Sequence, residues 1–170
     1  MEMLERDAAL AEMHHSLQQA DAGHGLVLLV RGEAGVGKTS LLSRFLAGVD
    51  ARVLLGRCDG VATPRPLAPL FDLNEPALTS LLLQQAPRDL LFRAVLDRLT
   101  SSHATSILAI EDAHWADEAT LDLLHYLGRR IAERRTLLIL TFRDDDVGAR
   151  HPLRRLLGDL ATGGTLHRVD

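Results

Sequence analysis

Short, wholly apolar runs alternate along this chain with longer segments in which apolar side chains recur every three or four positions. The runs at 26–30, 106–111 and 136–142 lack the polar alternation of a half-exposed strand, which suits strands buried on both faces of a parallel sheet. Residues 52–58 read as a further strand and 165–169 as a fifth. Helical spacing predicts helices over 38–47, 88–101, 117–133 and 152–161, with a shorter one around 77–85. Ahead of them, Leu10, Met13 or His14, and Leu17 recur at helical spacing, and Gly23 and Gly25 close the segment, so 1–24 reads as a leading amphipathic helix. Strands that alternate with helices imply right-handed crossovers and a sheet covered on both sides. The expected fold is therefore a three-layer α/β domain, with 25–170 as its core and 1–170 as a single domain.

Five of the six prolines fall between Pro64 and Pro87, which makes 59–86 the least regular stretch and marks a surface excursion between strand and helix. The length of 170 residues, 46% of them hydrophobic, suffices to bury a core. A net charge of −4 without a basic tract argues against direct nucleic-acid contact from this segment. No apolar stretch is long enough to span a membrane, and the opening residues lack the pattern of a secretion signal, so a cytoplasmic location is expected. The lone cysteine, Cys58, has no internal disulfide partner and reads as a small core residue.

Of the 19 basic residues, only Lys38 is a lysine. It stands in Gly32-Glu33-Ala34-Gly35-Val36-Gly37-Lys38-Thr39, which fits G-x-x-x-x-G-K-[ST] and lies between an expected strand and an expected helix. Glycines there let successive N–H groups point into one concavity, with the positive end of the helix dipole behind them. Such a cradle takes the phosphates of ATP or ADP, Lys38 brings a compact charge to the β and γ phosphates, and the Thr39 hydroxyl enters the Mg²⁺ shell. Ser40 extends the loop. Because it sits on a loop, Lys38 is expected to face solvent.

The run 107–112 ends in Glu111 and Asp112, at the place where phosphate-loop enzymes hold magnesium and orient water. Glu111 occupies the magnesium position and Asp112 the water-activating one, the reverse of the common order of the two acids, so slow hydrolysis is expected. The run 136–142 leads to Arg143 on the same rim, within reach of a γ phosphate, and Asp144, Asp145 and Asp146 follow as a solvated, capping run. Asp117 is expected to cap the next helix. Trp115 reads as packing at the sheet rim, with base stacking the alternative, and His114 is a candidate to hydrogen-bond phosphate or water. One cysteine and no H-E-x-x-H spacing argue against zinc. His14 and His15 read as one exposed and one half-buried helix residue.

Leu4-Glu5-Arg6-Asp7, the loop from Gly32 to Ser40, Ile110-Glu111-Asp112-Ala113-His114-Trp115-Ala116-Asp117-Glu118 and Leu140 to Asp146 together resemble the ATPase module of signal-transduction ATPases with numerous domains. More narrowly, the chain is similar to the N-terminal ATPase domain of large ATP-binding LuxR-type transcriptional regulators, the MalT-like group, and to related AAA-type ATPases. The resemblance implies a five-stranded core with the phosphate-loop strand beside the Arg143 strand, and ATP binding as a switch. It also implies further domains or other protomers as partners and a nucleotide contact from Arg6. The family's opening motif has glycine before that arginine, where this chain has Glu5. A binding module without turnover and, with less support, a small-molecule kinase remain open at this point. Guanine recognition is disfavoured, because the only asparagine, Asn74, is followed by Glu75 rather than by the Lys of an Asn-Lys-x-Asp element.

Overall fold

A computed structural model describes residues 3–61 and 63–169 of the chain. Five parallel strands, β1 (Leu26–Gly32), β2 (Arg52–Arg57), β3 (Ser106–Glu111), β4 (Thr136–Arg143) and β5 (Leu166–Val169), form one sheet in the order β2-β3-β4-β1-β5. The helices are α1 (Met3–Asp21), α2 (Lys38–Ala47), α3 (Pro76–Leu83), α4 (Arg88–Thr100), α5 (Glu118–Gly128) and α6 (Pro152–Thr162).

Period-two alternation divides the sheet's side chains between two cores. Leu28, Val30, Ile107, Ala109, Leu137 and Ile139 meet Ala9 and Met13 of α1 and Leu41, Leu42 and Phe45 of α2. Val27, Leu29, Leu108, Ile110, Leu138 and Leu140 point the other way, onto α4, α5 and α6. Each fully buried side chain of this size contributes about 1.5–3 kcal/mol, so both faces hold the sheet. No helix among the described residues is long and apolar enough to cross a membrane.

Three sequence expectations need correction. Helix α5 ends at Gly128 rather than near 133. A Cβ at Gly128 would lie 2.4 Å from Leu160 Cδ2 of α6, and the chain then turns so that Ile131 is fully buried. That turn also seats the Ile131 carbonyl on Gly25, where a Cβ would approach the oxygen to 2.0 Å, so continuing the helix would forfeit both contacts. On α1 the buried stripe is Ala9, Met13, Ser16 and Ala20, with Leu10 and Leu17 half-buried at its margin. His14 and His15 are both exposed, although the His14 ring meets Phe45 edge-on at 5.1 Å.

Candidate functional site at the carboxyl rim of the sheet

All five strands point the same way, so their carboxyl ends form one rim, where ligands of open parallel sheets bind. Register sets which rim residues are neighbours: Gly32 of β1 pairs with Arg143 of β4, and Arg57 of β2 pairs with Glu111 of β3.

The loop between β1 and α2 turns through Gly35 and Gly37, with φ of +79° and +97°, a region that favours glycine. Gly37 also caps α2, where a Cβ would lie 2.9 Å from Arg6 Nη2, so the α1 guanidinium rests on the loop itself. Lys38 opens α2. It is buried at 7% exposure, contrary to the solvent-facing expectation, because its ammonium turns back to donate to the carbonyls of Gly32 and Glu33, both at 2.8 Å. Burial is the main cause that lowers its pKa, and the Arg143 charge lowers it further, opposed by Asp112, Asp144 and Asp145. Glu33, Ala34, Gly35, Thr39 and Ser40 are exposed around it, and Val36 is half-buried.

Glu111 is 4% exposed. Its Oε2 accepts from Arg57 Nη2 at 2.7 Å, while its buried Oε1 has no hydrogen-bond partner among the described residues. A buried carboxylate oxygen left so is costly unless a cation or donor meets it. Hard oxygen donors, the Glu111 carboxylate and the Thr39 hydroxyl, fit magnesium, which keeps water and phosphate oxygens for the rest of its shell. Asp112 takes a left-handed conformation, φ +54°, and its N–H donates to Thr141 Oγ1 of β4 at 3.0 Å. Arg143 is half-buried, 3.8 Å from Asp146.

The acidic run after β4 does not cap α6, because the His151 side chain accepts from Leu153 N–H in that role. Asp144 instead lies 3.8 Å from Arg31, and Asp146 faces Arg143 and His114. Asp117 does cap α5, accepting from the N–H groups of Ala119 and Thr120, and it also accepts from Leu67 N–H and Thr120 Oγ1. Trp115, 46% exposed, covers Gly60, where a Cβ would lie 2.8 Å from its ring. Cys58 is buried, and burial pushes its thiol up to about 12. From the sequence, Arg57 and Thr141 carry no site role, and Asp146 is expected only in a solvated, capping run. The first two were findable as rim residues of strands once parallel order was assumed, whereas Asp146 lies beyond β4 and carried no such signal.

Residues 2–140 match the family described as AAA ATPase domain. An uncharacterized protein of Rhizobium meliloti (strain 1021) aligns with 85% of the chain at 28% identity, over 19% of its own length. Among solved structures, the Aeropyrum pernix ORC2 protein in its ADPNP–ADP complexes is similar at a TM-score of 0.62 and 16% identity, covering 98% of this chain and 47% of that one. Cdc6p from Pyrobaculum aerophilum is similar at 0.61 and 19% identity, covering 96% and 45%. The chain therefore spans less than half of each of these proteins, and at such identities the two structures establish likeness of fold. With the family match running from α1 to within β4, through the glycine loop and both rim acids, the chain belongs to the AAA ATPase domain family.

Proposed function

We propose that this domain binds ATP with Mg²⁺ on residues 32–40, hydrolyses it slowly, and uses the nucleotide state as a switch within a LuxR-type transcriptional regulator or a related signalling ATPase. The observation that carries the reading is the convergence of two cations: Lys38 Nζ lies 2.8 Å from the carbonyl of Gly32, and Gly32 pairs in register with Arg143. Burial lowers the Lys38 pKa most, and the repulsion from Arg143 lowers it further. A polyphosphate joining them turns that repulsion into attraction.

In this reading the loop N–H groups and the first turn of α2 bind the phosphates. Lys38 exchanges the Gly32 and Glu33 carbonyls for phosphate oxygens, and Arg6 approaches from α1. Glu111 and Thr39 hold the magnesium ion, which neutralises charge on the phosphates when bound. Asp112 orients water and accepts its proton, on a backbone steadied by Thr141. Arg143 reads the γ phosphate, and the loop after β4 reports it to neighbouring domains or protomers. A second reading, binding without useful turnover, is favoured by Arg57, whose ion pair occupies one oxygen of Glu111. Titration of the chain with ATP, ADP and GTP, with and without Mg²⁺, alongside phosphate release measured against Lys38→Ala, tests both. Magnesium-dependent ATP binding with release above the Lys38→Ala background supports the switch ATPase. Binding without release leaves the second reading, and no nucleotide binding removes both.

A further inference from the structure

One oxygen of Asp146 is approached from two elements. Its Oδ2 lies 3.8 Å from Arg143 Nη1 at the end of β4 and 3.4 Å from His114 Nε2 in the 3₁₀ turn Ala113–Trp115 that follows β3. The His114 side chain is 1% exposed, and among the described residues neither ring nitrogen has a hydrogen-bond partner. A buried imidazole with both nitrogens idle is costly, so its burial beside a carboxylate calls for an explanation. At 3.4 Å the approach falls short of a well-formed hydrogen bond, and a small movement of Asp146 would complete it.

The surrounding charges say when such a movement is favourable. Burial is the main cause that lowers the His114 pKa, opposed by Asp112 and Asp146 and reinforced by Arg143 and Lys38. A neutral imidazole has one N–H to give. While Arg143 stays near Asp146, that carboxylate already has a cation. Once the guanidinium turns to another anion, Asp146 needs a donor, and the one buried beside it is His114.

We propose that Asp146 is the partner of Arg143 in the absence of a γ phosphate and that His114 takes over Asp146 when Arg143 moves to that phosphate, so that His114 and Asp146 set how strongly the domain prefers ATP over ADP. They are positioning residues acting through Arg143, and the inference rests on the γ-phosphate role given to Arg143 above.

The test is the ratio of ATP to ADP affinity, each measured with Mg²⁺ by calorimetry on the purified chain. Asp146→Asn removes the charge that holds Arg143 and keeps, in its amide oxygen, an acceptor for His114, so it is expected to raise the preference for ATP by about two- to fivefold, the range of a partly exposed ion pair. His114→Phe, which fills the pocket without a donor, lowers it by a similar factor, and His114→Gln, which keeps an N–H, restores most of it. Placed in an Asp146→Ala background, which leaves no acceptor, His114→Phe has no further effect. A purely packing role for His114 would lower the melting temperature and shift both nucleotides alike, with Gln no better than Phe, and that overturns the inference. Asp146 is a surface residue, so Asp146→Asn remains informative even if a His114 variant does not fold, and an unchanged ratio there also overturns it. Arg143→Ala separates the two layers. If it leaves the ratio unchanged, the γ-phosphate reading fails and takes the inference with it, whereas a lowered ratio beside inert Asp146 and His114 variants defeats the inference alone.

Discussion

Replacing Lys38 by alanine probes the site at the residue where its geometry departs most from the sequence expectation. Without nucleotide the ammonium is not waiting in solvent; it donates to Gly32 O and Glu33 O at 2.8 Å each. Phosphate binding is therefore an exchange, and its gain is the excess of a charge-assisted bond to an anion over bonds to neutral carbonyls. Taking that excess as about 1.5–3 kcal/mol, ATP affinity should fall roughly ten- to hundredfold, since about 1.36 kcal/mol corresponds to a factor of ten. Stability should change by no more than about 1 kcal/mol, because the two lost bonds are offset by relief from burying a charge and by alanine's helix propensity at the start of α2. Calorimetric titration with Mg²⁺-ATP gives the first quantity and a circular-dichroism melt the second. A folded Lys38→Ala protein with parental ATP affinity would refute the assignment of the loop. A variant that fails to fold would show that the two carbonyl bonds hold the loop far more strongly than estimated.

Further outcomes follow from other parts of the site. Asp112→Asn should lose phosphate release and keep ATP affinity, whereas Glu111→Gln should weaken the dependence of binding on Mg²⁺; normal turnover by the first would show that another group activates water. Asp117→Ala removes the α5 cap and leaves Leu67 N–H without its acceptor, so a cost of about 1–2 kcal/mol and a melting point lower by roughly 3–6 °C are expected. Cys58 should resist thiol reagents in the folded protein and react once it is unfolded. Because its pKa rises from 9.0 to about 12 on folding, the unfolded thiol ionises first, and stability should fall as pH climbs above about 9; rapid labelling of native protein at pH 8 would contradict its burial.

The sequence by itself determined whatever depends on neighbours along the chain. The buried strands are legible because a strand covered on both faces has no place for polar side chains, and all five occur within a few residues of their expected bounds. The loop at 32–39 is legible because its chemistry lies in eight consecutive residues, and Asp117 because a cap acts within one turn. Tertiary structure decided what depends on strand order. Arg57 and Glu111 are 54 positions apart, and they meet because β2 pairs with β3 in register. The chain position of Arg6 says nothing of Gly37, and the packing of α1 against α2 and β1 brings them together. Gly128 looked like one more helical residue until α6 lay across it. Likewise, Lys38 read as a solvent-facing charge from its loop, and it is buried because the carbonyls of Gly32 and Glu33 curl back over it. Periodicity records which face of an element is buried, but it carries no record of which distant polar group arrives there, since such pairings are set by the sheet order and by a few close backbone approaches.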